Sequence, residues 1–189
     1  MFAFIPIIFS IQQFTEGIVW LSLDDPVYKE WQSITTLFFV FVAQVLWPIW
    51  VPLSIYLFEE NNSRKKWIMR FVILGVLLGL FHGYNLIMYN VSALITPKHI
   101  HYDFTLQANY PVLIAVSYFL CTVTPPFISS GKRMTTLGFL NLFSALVAII
   151  FFQDNIISVW CFFSALISWE VYLILKESDD SNKIIPLKF

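Results

Sequence analysis

The chain has 189 residues, of which 58% are hydrophobic, 19% aromatic and 12% charged, with a net charge of −1 and a mean hydropathy of +0.74. Soluble domains carry about 25% charged residues, and half that share cannot cover a 22.0 kDa globule in water. The composition excludes a cytosolic enzyme, a disordered tail and a disulfide-rich secreted scaffold, and the balanced charge gives no reason to expect nucleic acid as a partner.

Taken in chain order, apolar stretches separated by charge clusters predict six transmembrane helices, over 2–23, 33–58, 71–95, 109–128, 135–152 and 156–175. Most approach the ~20 residues that carry a helix across a ~30 Å hydrocarbon core. The first has no basic residue ahead of Lys29 and carries Gln12, Gln13 and Glu16 inside it, so it reads as a retained helix and not a cleaved signal. Nine of the 11 Lys and Arg fall on one side of this arrangement, and only Lys29 and Lys98 on the other. The asymmetry predicts that both termini are cytoplasmic. The expected architecture is an all-α six-helix bundle over 1–175 with a short cytoplasmic tail, 176–189. Membrane lipid is the partner this implies. Cys121 and Cys161 fall about 10 Å apart in depth, too far for a disulfide.

Two helices carry special backbone signals. The second contains Trp47-Pro48-Ile49-Trp50-Val51-Pro52. Each proline removes a donor, freeing the carbonyls of Gln44 and Pro48. That fits either a discontinuous helix lining a site or a kink healed by neighbouring helices. The third contains Gly75, Gly79 and Gly83 at four-residue spacing, a seam that lets another backbone approach closely. The seam serves packing within the chain, or a homo- or hetero-oligomer.

Ionisable and polar groups at membrane depth are rare and mark candidate sites. Glu16 lies about 10 Å below the outer boundary, with Gln12 and Gln13 on the same turn side, forming a polar wedge. His82, Asn85 and Tyr89 form a stripe on the third helix; Gln44 falls at similar depth on the second, and Tyr118 slightly shallower on the fourth. These groups predict a polar cavity in the outer half, with Glu16, Gln12, Gln13, Gln44, His82, Asn85 and Tyr89 as ligand- or proton-binding residues. A hydrogen-bond network that only fixes packing is the competing reading. Glu170 lies near the inner end and reads as an interfacial residue.

The segment between the third and fourth helices reads Lys98-His99-Ile100-His101-Tyr102-Asp103. In extended backbone His99, His101 and Asp103 share one side, a spacing that zinc or another divalent metal could use. No cofactor is otherwise evident. No lysine lies inside a span, and no phosphate-binding loop, Gly-x-Ser-x-Gly or His-Glu-x-x-His motif occurs, so catalytic residues stay unassigned. Three functions are compatible: binding or transport of a small ligand, proton-linked through Glu16; a metal-dependent intramembrane enzyme using the His-x-His-x-Asp segment; or an assembly subunit that only packs.

Three stretches carry a family likeness: Ile5-Pro6 running into Gln12-Gln13, Glu16-Gly17 and Trp20; Ala43-Gln44-Val45 followed by Trp47–Pro52; and Ser158-Val159-Trp160-Cys161-Phe162-Phe163. Together they resemble an uncharacterised family of bacterial multi-pass membrane proteins, a domain of unknown function. The resemblance implies a helical bundle in a bacterial inner membrane and no particular activity. It also implies, in other members, a further helix ahead of the Ile-Pro segment, where this chain begins at Met1.

Overall fold

The computed structural model describes residues 1–96, 99–104 and 111–184. After a short 3-10 turn at Phe2–Phe4, helix α1 covers Ile5–Asp24. A 3-10 segment, Pro26–Trp31, leads into α2 (Gln32–Phe41), a π-helical turn (Val42–Leu46) and α3 (Trp47–Phe58). Helix α4 runs over Asn62–Met88 and feeds an antiparallel hairpin, β1 (Val91–Thr96) and β2 (His99–Phe104). Then follow α5 (Pro111–Val123), α6 (Pro125–Ile128), α7 (Met134–Phe151), a 3-10 turn at Gln153–Asn155, α8 (Ile156–Phe162) and α9 (Ser164–Ile184).

Among the described residues, four stretches are long and apolar enough to cross a membrane: Phe2–Asp24, Pro26–Phe58, Asn62–Met88 and Met134–Phe151. The first and last of these match the expected first and fifth spans within a residue. Large apolar side chains such as Phe14, Ile87 and Phe162 stand exposed along the helices. Such a surface suits a membrane protein, whose outside faces hydrocarbon.

The second expected span, 33–58, falls within Pro26–Phe58, whereas the third, fourth and sixth differ from the reading. The third does not reach residue 95: α4 stops at Met88, and Val91–Thr96 is a strand. Six residues rich in apolar and β-branched side chains extend a helix or build a strand equally well by pattern; pairing with His99–Phe104 decides it. The fourth is a 13-residue helix, α5, broken from α6 at Thr124 because Pro125 and Pro126 cannot continue its hydrogen bonds. The sixth bends by 42° between Ile156–Phe162 and Leu166–Asp179. Among the described residues, four helices, or five with the bent pair counted as one span, are long and apolar enough to cross a membrane. Helix α9 also passes through residue 176 to Ile184, so the boundary drawn between bundle and tail falls inside a helix.

Two apolar clusters hold the bundle at its ends. Near the hairpin, Val19, Phe39, Val40, Leu86, Ala93, Ile100 and Tyr102 pack together. Alternation along β2 sends Ile100 and Tyr102 inward, leaving His99, His101 and Asp103 on the other face. At the far end, Phe2, Ile5, Trp47, Ile55, Ile68, Met134, Leu137 and Val171 form the second cluster.

Candidate functional site

The middle of the bundle is organised by α3 and α4. Pro48 and Pro52 leave carbonyls without helical partners, and the π turn at Val42–Leu46 widens the backbone just ahead of them. Tyr118 from α5 donates its hydroxyl proton to the carbonyl of Ala43 in that turn. Gly75 rests on the Pro48 carbonyl so closely that a Cβ there would stand 1.9 Å from the oxygen; at Gly79 a Cβ would meet the Ile49 side chain at 2.5 Å. Gly83 has no such contact, with Val45 Cγ1 at 4.0 Å. The glycine seam thus receives α3 of the same chain, and it turns His82, two turns beyond Gly75, toward the interior.

Behind this seam lies a cavity of about 390 Å³, within the range of small-molecule sites. Its walls are mostly apolar, from Phe2 and Ile5 at one end to Pro111, Ile149 and Ile156 at the other. Polar groups enter it from Gln44, His82, Tyr118, Thr122, Asn141 and Trp160. His82 is buried, its ring edge-to-face with Tyr118 at 6.2 Å. The Asn141 amide donates to the Thr122 carbonyl at 2.8 Å and accepts from the Trp160 indole N–H at 3.1 Å. The sequence placed Gln44 and His82 at similar depth and Tyr118 slightly shallower, and the fold brings all three to one cavity.

The polar wedge of α1 stands elsewhere. Gln12 is fully buried; its amide donates to Cys161 Sγ at 3.3 Å and accepts from the Trp47 indole at 2.8 Å. It ties α1 to α3 and α8 from behind the cavity wall. Glu16 accepts long hydrogen bonds from Gln13 and from the Tyr102 hydroxyl, both 3.4 Å, and a further one from Ser158. Burial, with the Glu16 charge adding to it, pushes the Tyr102 hydroxyl well above its ordinary value, so Tyr102 stays a donor. Glu16 does not line the 390 Å³ cavity; Tyr102 and Ser158 instead line a second one, of about 230 Å³, between β2 and α8.

The remaining candidates lie apart. Asn85 is buried and donates to the Phe81 carbonyl one turn back, at 2.9 Å. Tyr89 caps the end of α4 and is exposed. His99, His101 and Asp103 share the outer face of β2, as extended backbone requires, with the His99 ring against Phe152 at 5.0 Å. Among the described residues no three His, Cys, Asp or Glu side chains gather closely enough to hold a metal ion. Cys121 and Cys161 are both free and buried.

At the far end two carboxylates do structural work. Glu170 is buried, paired bidentately with Arg133 at 2.8 and 2.9 Å. This hydrogen bonding raises the Arg133 guanidinium above its ordinary value, and Arg133 itself adopts left-handed backbone at φ 62°. Glu59, in the turn between α3 and α4, accepts from the Ser130 hydroxyl, from the Ser130 N–H at 2.6 Å and from the Asn61 N–H at 2.9 Å. Burial pushes its carboxyl up, but these donors together with Ser129 outweigh it and hold the carboxyl at about 2.

Sequence reasoning missed Thr122, Asn141 and Trp160 at the cavity and Tyr102 and Ser158 beside Glu16. For Ser158 and Trp160 a signal existed, since both sit in the Ser158–Phe163 stretch that carries the family likeness. No curated protein and no solved structure matches the chain. A family model does match, over residues 1–184, and on that match the chain belongs to DUF6629, a family of unknown function.

Proposed function

We propose that the protein binds or carries a small apolar or amphipathic molecule in its central cavity, inside a bacterial inner membrane. The supporting observation is the cavity itself: about 390 Å³ of largely apolar wall, with Gln44, His82 and Asn141 placed to orient one polar end of a ligand. Nine of 11 basic residues on one side of the bundle support an orientation with both termini cytoplasmic. In that reading α5 with α6 makes the fourth crossing, and bent α8–α9 the sixth. The ligand is one that partitions into lipid, because a freely soluble polar solute would leave most of this wall unmatched.

Mass spectrometry of small molecules released from purified protein tests the reading. Wild type retains a stoichiometric apolar or amphipathic species; Ala115→Trp, which fills the cavity from α5, loses it while staying folded. Equal retention by the two proteins, or no retained species from a folded wild type, overturns it.

A further inference from the structure

Glu16 sits beside a second, more polar cavity, bonded to two of the residues that line it. The residue is 7% exposed, and among the described residues its carboxylate is met by neutral donors: Gln13 from its own helix, Tyr102 from β2 and Ser158 from α8. Among the described residues it has no ion pair. The cleft of about 230 Å³ between β2 and α8 has polar residues His101, Gln153 and Asn155 in its wall, and Tyr102 and Ser158, whose side chains bond Glu16, line it too. The central cavity does not include Glu16, and the Gln12–Cys161 and Gln12–Trp47 hydrogen bonds stand between the two.

We propose that Glu16 is a proton-binding site filled from the hairpin end of the molecule, with the Tyr102 and Ser158 hydroxyls passing the proton inward from the cleft. In each transfer a hydroxyl releases its own proton to a Glu16 carboxylate oxygen while taking one from hydronium in the cleft. One O–H bond breaks at the hydroxyl and one forms at Glu16; the hydronium becomes water, the carboxylate becomes a carboxyl, and no electrons change hands.

The surroundings favour a proton over a metal ion. A single carboxylate with three neutral donors can hold a proton and keep its hydrogen bonds, since hydroxyls and the Gln13 amide reorient. A divalent cation would need further charge that this pocket does not hold. The titratable groups that interact with Glu16 are Tyr102 from β2 and Cys161 from α8, with His101 on the cleft wall. Helix α2 and strand β1 contain no titratable side chain. On α9, Glu170 is engaged by Arg133 at the far end, and Asp24, Asp25, Lys29 and Glu30 lie exposed in the turn after α1.

Infrared difference spectroscopy of the full chain in lipid nanodiscs tests this. A carbonyl stretch of a protonated carboxyl should grow as pH falls, be absent in Glu16→Gln, and shift on transfer to D₂O. Tyr102→Phe combined with Ser158→Ala should slow that shift by about tenfold or more. The phenylalanine keeps the ring stacked on Phe39, 4.6 Å away in wild type, so the hairpin stays docked. If no band sensitive to Glu16→Gln appears anywhere in the pH range where the protein is folded, the proton site is wrong. If the doubly substituted protein exchanges as fast as wild type, the route through the hydroxyls is wrong.

Discussion

Two halves of the bundle solve opposite problems. On one side α3 and α4 are in backbone contact: Gly75 leaves no room for a methyl group beside the Pro48 carbonyl, and Gly79 leaves little beside Ile49. On the other side α5, α7 and α8 stand around a cavity of about 390 Å³. A kinked, proline-containing helix leaves carbonyls that lipid cannot satisfy, so a close neighbour is compulsory there. The tight half fixes Gln44 and His82 in space, and the open half leaves volume in front of them. Rigidity and vacancy meet at α3 and α4, which close on each other through one face and line the cavity with Trp47, Val51, Ile55 and His82 through another.

Four substitutions probe that division, beginning with the largest effect. Gly75→Ala should destabilise by about 3 kcal/mol or more, because the new methyl meets backbone and no rotamer relieves it; reversible unfolding in detergent or bicelles measures this. A cost below that of Gly79→Ala, whose clash is with a flexible Ile49 side chain, would break the comparison. Next, Glu59→Gln should cost roughly 2 kcal/mol at neutral pH, since the amide loses charge-assisted bonds from Ser130 and Asn61. The folded carboxyl lies at about 2 against an ordinary 4.5, so its stabilisation is full above pH 4.5 and fades as pH falls toward 2. The melting temperature of wild type should drop across that window by more than that of the glutamine variant.

Filling the open half should matter less to folding. Ala115→Phe, in the wall of the cavity, should change stability by less than about 1 kcal/mol, because it enters space and displaces no packed group. A loss as large as that of Gly75→Ala would mean that the cavity wall is as close-packed as the seam. The smallest effect is a gain. A Cβ at Gly17 in α1 meets nothing within 4 Å, so Gly17→Ala should stabilise by about 0.5–1 kcal/mol through the helix propensity of alanine alone. The same unfolding series records it, and a destabilisation would show that α1 has a neighbour at that face.

Legibility in the sequence followed the same division. Spans with one uninterrupted apolar run, Phe2–Asp24 and Met134–Phe151, were readable within a residue at each end. So was the convergence of Gln44, His82 and Tyr118, because depth follows from counting along helices. The glycine spacing marked the seam, though only the fold says that Pro48 and Ile49 fill it. What could not be read depends on contacts between segments distant in sequence. Val91–Thr96 becomes a strand because His99–Phe104 returns beside it. Tyr102 joins Glu16 only because that strand faces inward at even positions. Glu170 looked interfacial by its distance from Lys176, yet Arg133, 37 residues earlier, reaches it. Glu16 and Gln12 share a helix turn, and nothing in that spacing tells which one faces the cavity wall and which the hairpin.

The hairpin also acts as a depth gauge. Two strands leave backbone N–H and C=O groups along both outer edges, and of these the Ala93 carbonyl gains a side-chain donor, Gln32, at 3.5 Å. Hydrocarbon does not tolerate such edges where lipid meets them, so in the proposed membrane reading the strands would lie in the headgroup layer or in water, and Met88 would mark the level where lipid tails begin. Counting back along α4 at ~1.5 Å per residue, a ~30 Å core ends near Ile68. Arg64, Lys65 and Lys66 then sit among the opposite headgroups, and Arg70, laid over the Trp67 ring at 3.9 Å, reaches back toward them. One short turn of sheet thus sets the draught at which the whole bundle floats in its bilayer.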